Sequence, residues 1–218
     1  MILSRGRAYL FVHAPKTGGT SMALALEARA MKEDIMLGDT PKARQRRKRL
    51  EGVEAAGRLW KHSTLADLDG LVRADELDDL FIFTMVRNPW DRMVSYYHWL
   101  QAQTFAHPSV SLARKLAFEA FVAHPVIGQS FSEAPAASYV TDAAGRERAR
   151  LFVRLERLED DIGPLEAHLG FKLEIPHVNR SAREPDYRTV YSDASRERVA
   201  QICAADIARF GYRFCAPD

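Results

Sequence analysis

Two adjacent glycines, Gly18-Gly19, stand between an apolar run and a helical pattern, and this junction constrains the fold more than any other stretch. Upstream, Ala8-Tyr9-Leu10-Phe11-Val12 is short, apolar and rich in strand-forming residues, the signature of a buried strand. Downstream, Met22, Ala25, Leu26 and Ala30 fall at i, i+3, i+4 and i+8, one face of a helix. The segment between, His13-Ala14-Pro15-Lys16-Thr17-Gly18-Gly19-Thr20-Ser21, therefore reads as a strand-to-helix loop. Gly18 and Gly19 let the backbone turn sharply and approach a ligand closely. Thr20 and Ser21 add hydroxyls where the first helical N–H groups lack partners, and the helix end carries about half a positive charge. With Lys16, the stretch from Lys16 through Thr17, Gly18, Gly19, Thr20 and Ser21 makes an anion site suited to phosphate. It is not the triphosphate loop GxxxxGK[ST], because Lys16 precedes both glycines.

Two further apolar runs, Leu80–Val86 and Ala149–Leu155, read as strands. The first is apolar nearly throughout, as strands covered on both faces of a parallel sheet are. Strands alternating with helical segments predict an α/β fold, a mostly parallel sheet flanked by helices. With 218 residues and 47% hydrophobic content, one domain over 1–218 is expected. Residues 22–36 read as a continuation of the first helix, 99–135 as helical apart from a loop at Pro125–Pro135, and Tyr191–Tyr212 as one amphipathic helix. The Pro125–Pro135 loop is where a cover over the substrate cleft is expected.

Other features exclude classes. A net charge of +2 gives no field suited to nucleic acid. No run approaches the ~20 apolar residues of a membrane span, and residues 1–30 do not have the pattern of a signal peptide. A cytoplasmic location is expected, with Cys203 and Cys215 reduced. His98, His107 and His124 have no metal-ligand spacing, so no metal is expected. Lys42–Arg49 holds six basic residues among eight, read as a solvated helix face or as a contact for an anionic substrate.

The order Pro-Lys-Thr-Gly-Gly-Thr-Ser resembles the 5′-phosphosulfate loop of sulfotransferases that use 3′-phosphoadenosine-5′-phosphosulfate (PAPS). The likeness is closest to the carbohydrate sulfotransferases that include the heparan 6-O- and chondroitin-type enzymes, here as a compact, soluble, bacterial-like member, and it runs from the first strand to the last helix. Arg87 and Ser95, in Arg87-Asn88-Pro89-Trp90-Asp91-Arg92-Met93-Val94-Ser95, are similar to the family's 3′-phosphate site. A guanidinium can grip that phosphate bidentately. His177-Val178-Asn179-Arg180-Ser181 is similar to a loop that lies over the nucleotide, which implies contacts from Asn179, Arg180 and Arg183. His62-Ser63-Thr64-Leu65-Ala66-Asp67-Leu68 resembles the setting of the histidine proposed as base in the 6-O-type enzymes, and Glu27 is the rival, since some related enzymes use a carboxylate.

The resemblance implies transfer of a sulfonate from PAPS to an acceptor hydroxyl, a glycan by the family likeness, releasing adenosine 3′,5′-bisphosphate (PAP). Lys16 would stabilise the leaving group and His62 would act as general base, without metal. Two other readings remain open at this stage: a nucleotide kinase with a related loop, and a non-catalytic nucleotide- or glycan-binding protein. The kinase predicts an acid for Mg²⁺ at a strand end, where this chain has Arg87.

Overall fold

The computed structural model describes residues 1–176, 178 and 186–215. In chain order the elements are β1 (Ile2–Ser4), β2 (Tyr9–Val12), α1 (Gly19–Ala28), β3 (Ile35–Met36), α2 (Pro41–Arg46), α3 (Glu76–Asp79), β4 (Phe81–Val86) and α4 (Pro89–Gln101). There follow α5 (Pro108–Lys115), α6 (Phe118–Ala123), α7 (Pro125–Ser132), α8 (Ala136–Tyr139), β5 (Leu151–Arg154), α9 (Leu158–Asp161), α10 (Gly163–Leu169), α11 (Asp193–Ile202) and α12 (Ala204–Phe210). The chain packs as two compact units, Met1–Val86 with Ala136–Asn179, and Arg87–Pro135 with Arg180–Asp218.

The first unit is α/β, with a mixed sheet in the order β3-β1-β2-β4-β5. The three strands legible as apolar runs form its parallel part: Phe11 stands opposite Phe83, and Phe83 opposite Leu151. The added strands β1 and β3 are antiparallel and lie at one edge. Their three and two residues are too short for a periodic signal. Tyr9, Phe11, Phe83, Met85 and Val153 of the strands pack with Met22 and Leu26 of α1 and Leu165 and Leu169 of α10. Thr84, the buried polar residue of β4, satisfies its hydroxyl by donating to the Val12 carbonyl at 2.7 Å.

The expected helix over 22–36 stops at Ala28. The chain then bends, and Asp34 accepts from the Met31 N–H at 2.8 Å before β3 begins. A short polar side chain bonded to nearby backbone competes with helix in this way.

The second unit is helical. Met93, Val94, Tyr97 and Leu100 of α4 pack with Phe121, Val122 and Ile127, and with Val199 and Ile202 of α11. Residues 125–132, expected as loop, are instead helix α7. Pro125 supplies a favourable first position, and the His124 Nδ1 accepts from the Val126 N–H at 3.3 Å. His107 caps α5 likewise on Ser109 at 3.2 Å, which gives two of the unassigned histidines a structural task. The expected single helix over 191–212 is divided at Cys203 into α11 and α12. Ser192 and Ser195 form a capping box at its start, and Gly211, with φ 67°, ends it.

Candidate functional site

The loop from β2 to α1 is built by steric demands that its sequence meets. The backbone passes through the left-handed region at Lys16 (φ 65°) and again at Gly18 (φ 83°). Left-handed residues within such a turn direct successive N–H groups to one side, the arrangement of an anion nest. The left-handed φ of Lys16, a residue with a Cβ, is a local strain that the surrounding loop has to hold. Thr17 does part of that holding, as its buried hydroxyl donates to the Ala14 carbonyl at 2.8 Å. Gly18 then caps α1 through its backbone, its carbonyl accepting from the Ser21 N–H at 3.0 Å, and no side chain among the described residues caps the helix.

The two glycines are needed for different reasons. A Cβ on Gly18 would sit 2.7 Å from a Leu155 methyl, in addition to the backbone cost of its φ. A Cβ on Gly19 would sit 2.1 Å from Cδ2 of His13. The His13 ring is buried, stacked on Phe11 at 5.7 Å between centroids, and lies edge-on to His62 at 4.6 Å. The helix can therefore start where it does only because no side chain stands between it and that imidazole.

His62 reaches the same loop from a distant part of the sequence. Its Nδ1 lies 2.8 Å from the His13 carbonyl oxygen. A carbonyl can only accept, so Nδ1 carries the proton and Nε2 keeps its lone pair. Burial, opposed by that hydrogen bond and helped by the charges of Lys61 and Lys16, lowers the His62 pKa from 6.5 to about 4. Burial likewise pushes the His13 pKa well below its ordinary value. At neutral pH both rings are uncharged. The turn that carries His62 is fixed by Asp67, which accepts from the N–H and the hydroxyl of Thr64 at 2.7 and 2.9 Å.

Glu27, the rival base, is buried on α1 and bound to the neighbouring helix. Its Oε1 accepts from the Lys42 N–H at 2.8 Å, and the Lys42 ammonium donates to the Glu27 carbonyl at 2.7 Å. Others in the basic run bind backbone as well: Arg46 donates to the carbonyls of Met31 and Asp34 at 2.8 and 3.1 Å.

In the second unit, Arg87 follows directly on β4 and precedes α4. Its Nε and Nη2 lie 2.7 and 2.6 Å from Asp91 Oδ2, one helical turn on. Asn88 caps α4 by accepting from the Trp90 N–H at 3.1 Å, and donates to the Tyr187 hydroxyl and the Arg213 carbonyl, both at 3.2 Å. Ser95 is buried on the same helix. Of the segment after β5 expected over the nucleotide, Val178 is described, and it donates its N–H to the Ser21 hydroxyl at 3.4 Å, at the start of α1. Asn179, Arg180 and Arg183 lie outside the described residues.

Sequence reasoning missed His13 as a packing partner of the loop. The signal was its place, immediately after the strand and six residues before a glycine that its ring requires. Among the described residues no cluster of His, Cys, Asp and Glu could hold a metal ion, and no helix is long and apolar enough to cross a membrane.

A model of the sulfotransferase family matches residues 2–213 of the chain. No curated protein sequence matches it. Among solved structures, the crystal structure of mouse sulfotransferase SULT7A1 complexed with PAP is similar at 16% identity and a TM-score of 0.40, over 99% of this chain and 73% of that one.

Proposed function

The chain belongs to the sulfotransferase family, and on that premise we propose that it moves a sulfonate from PAPS to an acceptor hydroxyl, the acceptor being a carbohydrate. The observation that carries this reading is the loop between β2 and α1. It combines left-handed turns at Lys16 and Gly18, a helix start without a side-chain cap among the described residues, and His62 tied to its first residue.

In this proposal the N–H groups of residues 17–20 and the hydroxyl of Ser21 hold the 5′-phosphate, helped by the helix dipole. Arg87 and Ser95 hold the 3′-phosphate, with Asn179, Arg180 and Arg183 closing over the nucleotide. His62 Nε2 takes the proton of the acceptor hydroxyl as that oxygen bonds to sulfur. The bond from sulfur to the 5′-phosphate oxygen breaks, its electron pair stays on that oxygen, and the Lys16 ammonium stabilises the charge that develops there. PAP leaves. The whole of 1–218 acts as one catalytic domain, and no metal is needed.

The test is calorimetric binding of PAP against AMP and ATP without metal. Wild-type protein is expected to prefer PAP over AMP by at least about tenfold, the worth of one charge-assisted contact. Arg87→Ala should abolish the preference. Tight ATP binding that requires Mg²⁺ would overturn the reading in favour of a nucleotide kinase.

A further inference from the structure

A cavity of about 820 Å³ opens in the first unit between the segment Met36–Leu50 and the segment Glu51–Lys61. Its volume is that of a small-molecule site. It is walled on one side by Ala43, Arg47 and Leu50 and on the other by Arg58, Trp60 and Lys61. Trp60 is 42% exposed, a large indole left open to water inside a concave surface. Its ring meets His62 edge-on, with centroids 5.1 Å apart, and the Arg58 guanidinium lies over it at 5.4 Å.

We propose that this cavity is the acceptor subsite, with Trp60 as its stacking platform, and that it takes a hydroxyl-bearing ring compound carrying a negative charge. The proposal rests on His62 being the base. The exposed part of the indole gains most from a flat partner, either the C–H face of a sugar or an aromatic ring. Trp60 lines the cavity and its ring meets that of His62 at 5.1 Å, so the platform adjoins the imidazole that would accept the hydroxyl proton.

The sign of the ligand charge follows from the walls. Asp39, one of the two lining acids, is already paired with Lys61 at 2.9 Å and with Arg47 at 3.9 Å. The lining has three basic side chains, Arg47, Arg58 and Lys61, against the two acids Asp39 and Glu51, and Arg47 belongs to the run Lys42–Arg49, which has six basic residues and no acid. Arg46 and Arg49 in that run donate to backbone carbonyls, which satisfy hydrogen bonds without cancelling charge. A concave surface with an excess of one sign concentrates ligands of the other. Burial is the main cause that holds the His62 pKa down, with the Lys61 and Lys16 charges adding to it, and a bound anion would offset the part due to those charges.

Saturation-transfer NMR on the full chain, with and without PAP, would test this using methyl glucuronide, neutral methyl glucoside and 4-hydroxybenzoate. At least one of the two anions should bind, with the glucoside about tenfold weaker than the glucuronide if the source is a sugar, and hydroxybenzoate preferred if it is a phenol. Trp60→Ala should weaken the bound anion about tenfold, Trp60→Phe should retain it, and Arg58→Gln should reduce the preference for charge. PAP affinity should be unchanged in all three variants. Anion binding unaffected by Trp60→Ala, equal binding of glucoside and glucuronide without hydroxybenzoate binding, or no binding of any probe would each overturn the subsite. Loss of PAP binding by wild-type protein would instead count against the nucleotide reading, and the titrations without PAP would still decide the subsite.

Discussion

The Nδ1–H of His62 donates to the backbone carbonyl of His13 at 2.8 Å, so the candidate base hangs from the first residue of the candidate phosphate loop. One bond sets three things together. It selects the tautomer, leaves the Nε2 lone pair available, and ties the imidazole to the backbone that would hold the leaving group. Proximity of this kind matters because a misplacement of about 1 Å costs orders of magnitude in rate.

Removing the imidazole should separate binding from chemistry. In His62→Ala, turnover of PAPS is expected to fall by about 10²–10⁴, the usual contribution of a general base. PAP affinity should stay within about twofold, since the loop N–H groups and Arg87 are untouched. Sulfonate transfer assays beside calorimetry measure the split, and full turnover in this variant would remove His62 from the mechanism.

Acid should act on both stability and rate. The His62 pKa is about 4 in the folded chain against 6.5 when free. The folded state therefore binds fewer protons than the unfolded state between those values. The stability this brings is complete above about pH 6.5 and is lost as pH falls toward 4, at most about 3 kcal/mol for this residue. His13, shifted in the same direction, adds to the loss. Thermal melts from pH 7 to 4 should show the decline, and His62→Gln should flatten it. The acid limb of kcat/KM should likewise lie near pH 4, because that profile reports the free enzyme.

Gly19→Ala should damage the fold at the loop. The added methyl would stand 2.1 Å from a buried imidazole that is itself held by Phe11 and His62. Neither side can give cheaply in a close-packed interior. A loss of about 2–3 kcal/mol is expected from overpacking, read as a lower Tm. PAP affinity should fall with it, as the first N–H groups of α1 are displaced. An unchanged Tm would mean that the His13 ring can rotate away.

The parallel strands and the loop were legible because each carries its signal locally. Tyr9–Val12 is a continuous apolar run, Phe81–Val86 is one broken only by Thr84, and Gly18 and Gly19 mark the turn. The edge strands Ile2–Ser4 and Ile35–Met36 were not, since they exist only through pairing with each other and with β2. Helix α7 was hidden by a composition of Pro, Gly and Ser that resembles a loop. Its Ile127 and Phe131 bury against α4 and α11, and tertiary packing outweighs weak propensity. Among the candidate residues, Lys16, Arg87 and Ser95 stood out through their motifs. The His13–His62 contact joins residues 49 apart and has no local trace.

Glu27 and His62 make opposed predictions, and one substitution separates them. Glu27 is buried, with Oε1 on the Lys42 N–H, and so anchors the start of α2 to α1. Its other oxygen, Oε2, is buried and has no hydrogen-bond partner among the described residues. Glu27→Gln keeps an oxygen for the Lys42 N–H while removing any capacity to take a proton at neutral pH. If the carboxylate is structural, this variant should retain turnover within about threefold, and Glu27→Ala should cost about 1–2 kcal/mol of stability from the lost capping bond. If the carboxylate is the base, Glu27→Gln should lose at least about 10² in kcat with little change in Tm. The first outcome is expected. The Lys42 contact already commits Glu27 to the α1–α2 junction, whereas His62 presents a lone pair beside the loop.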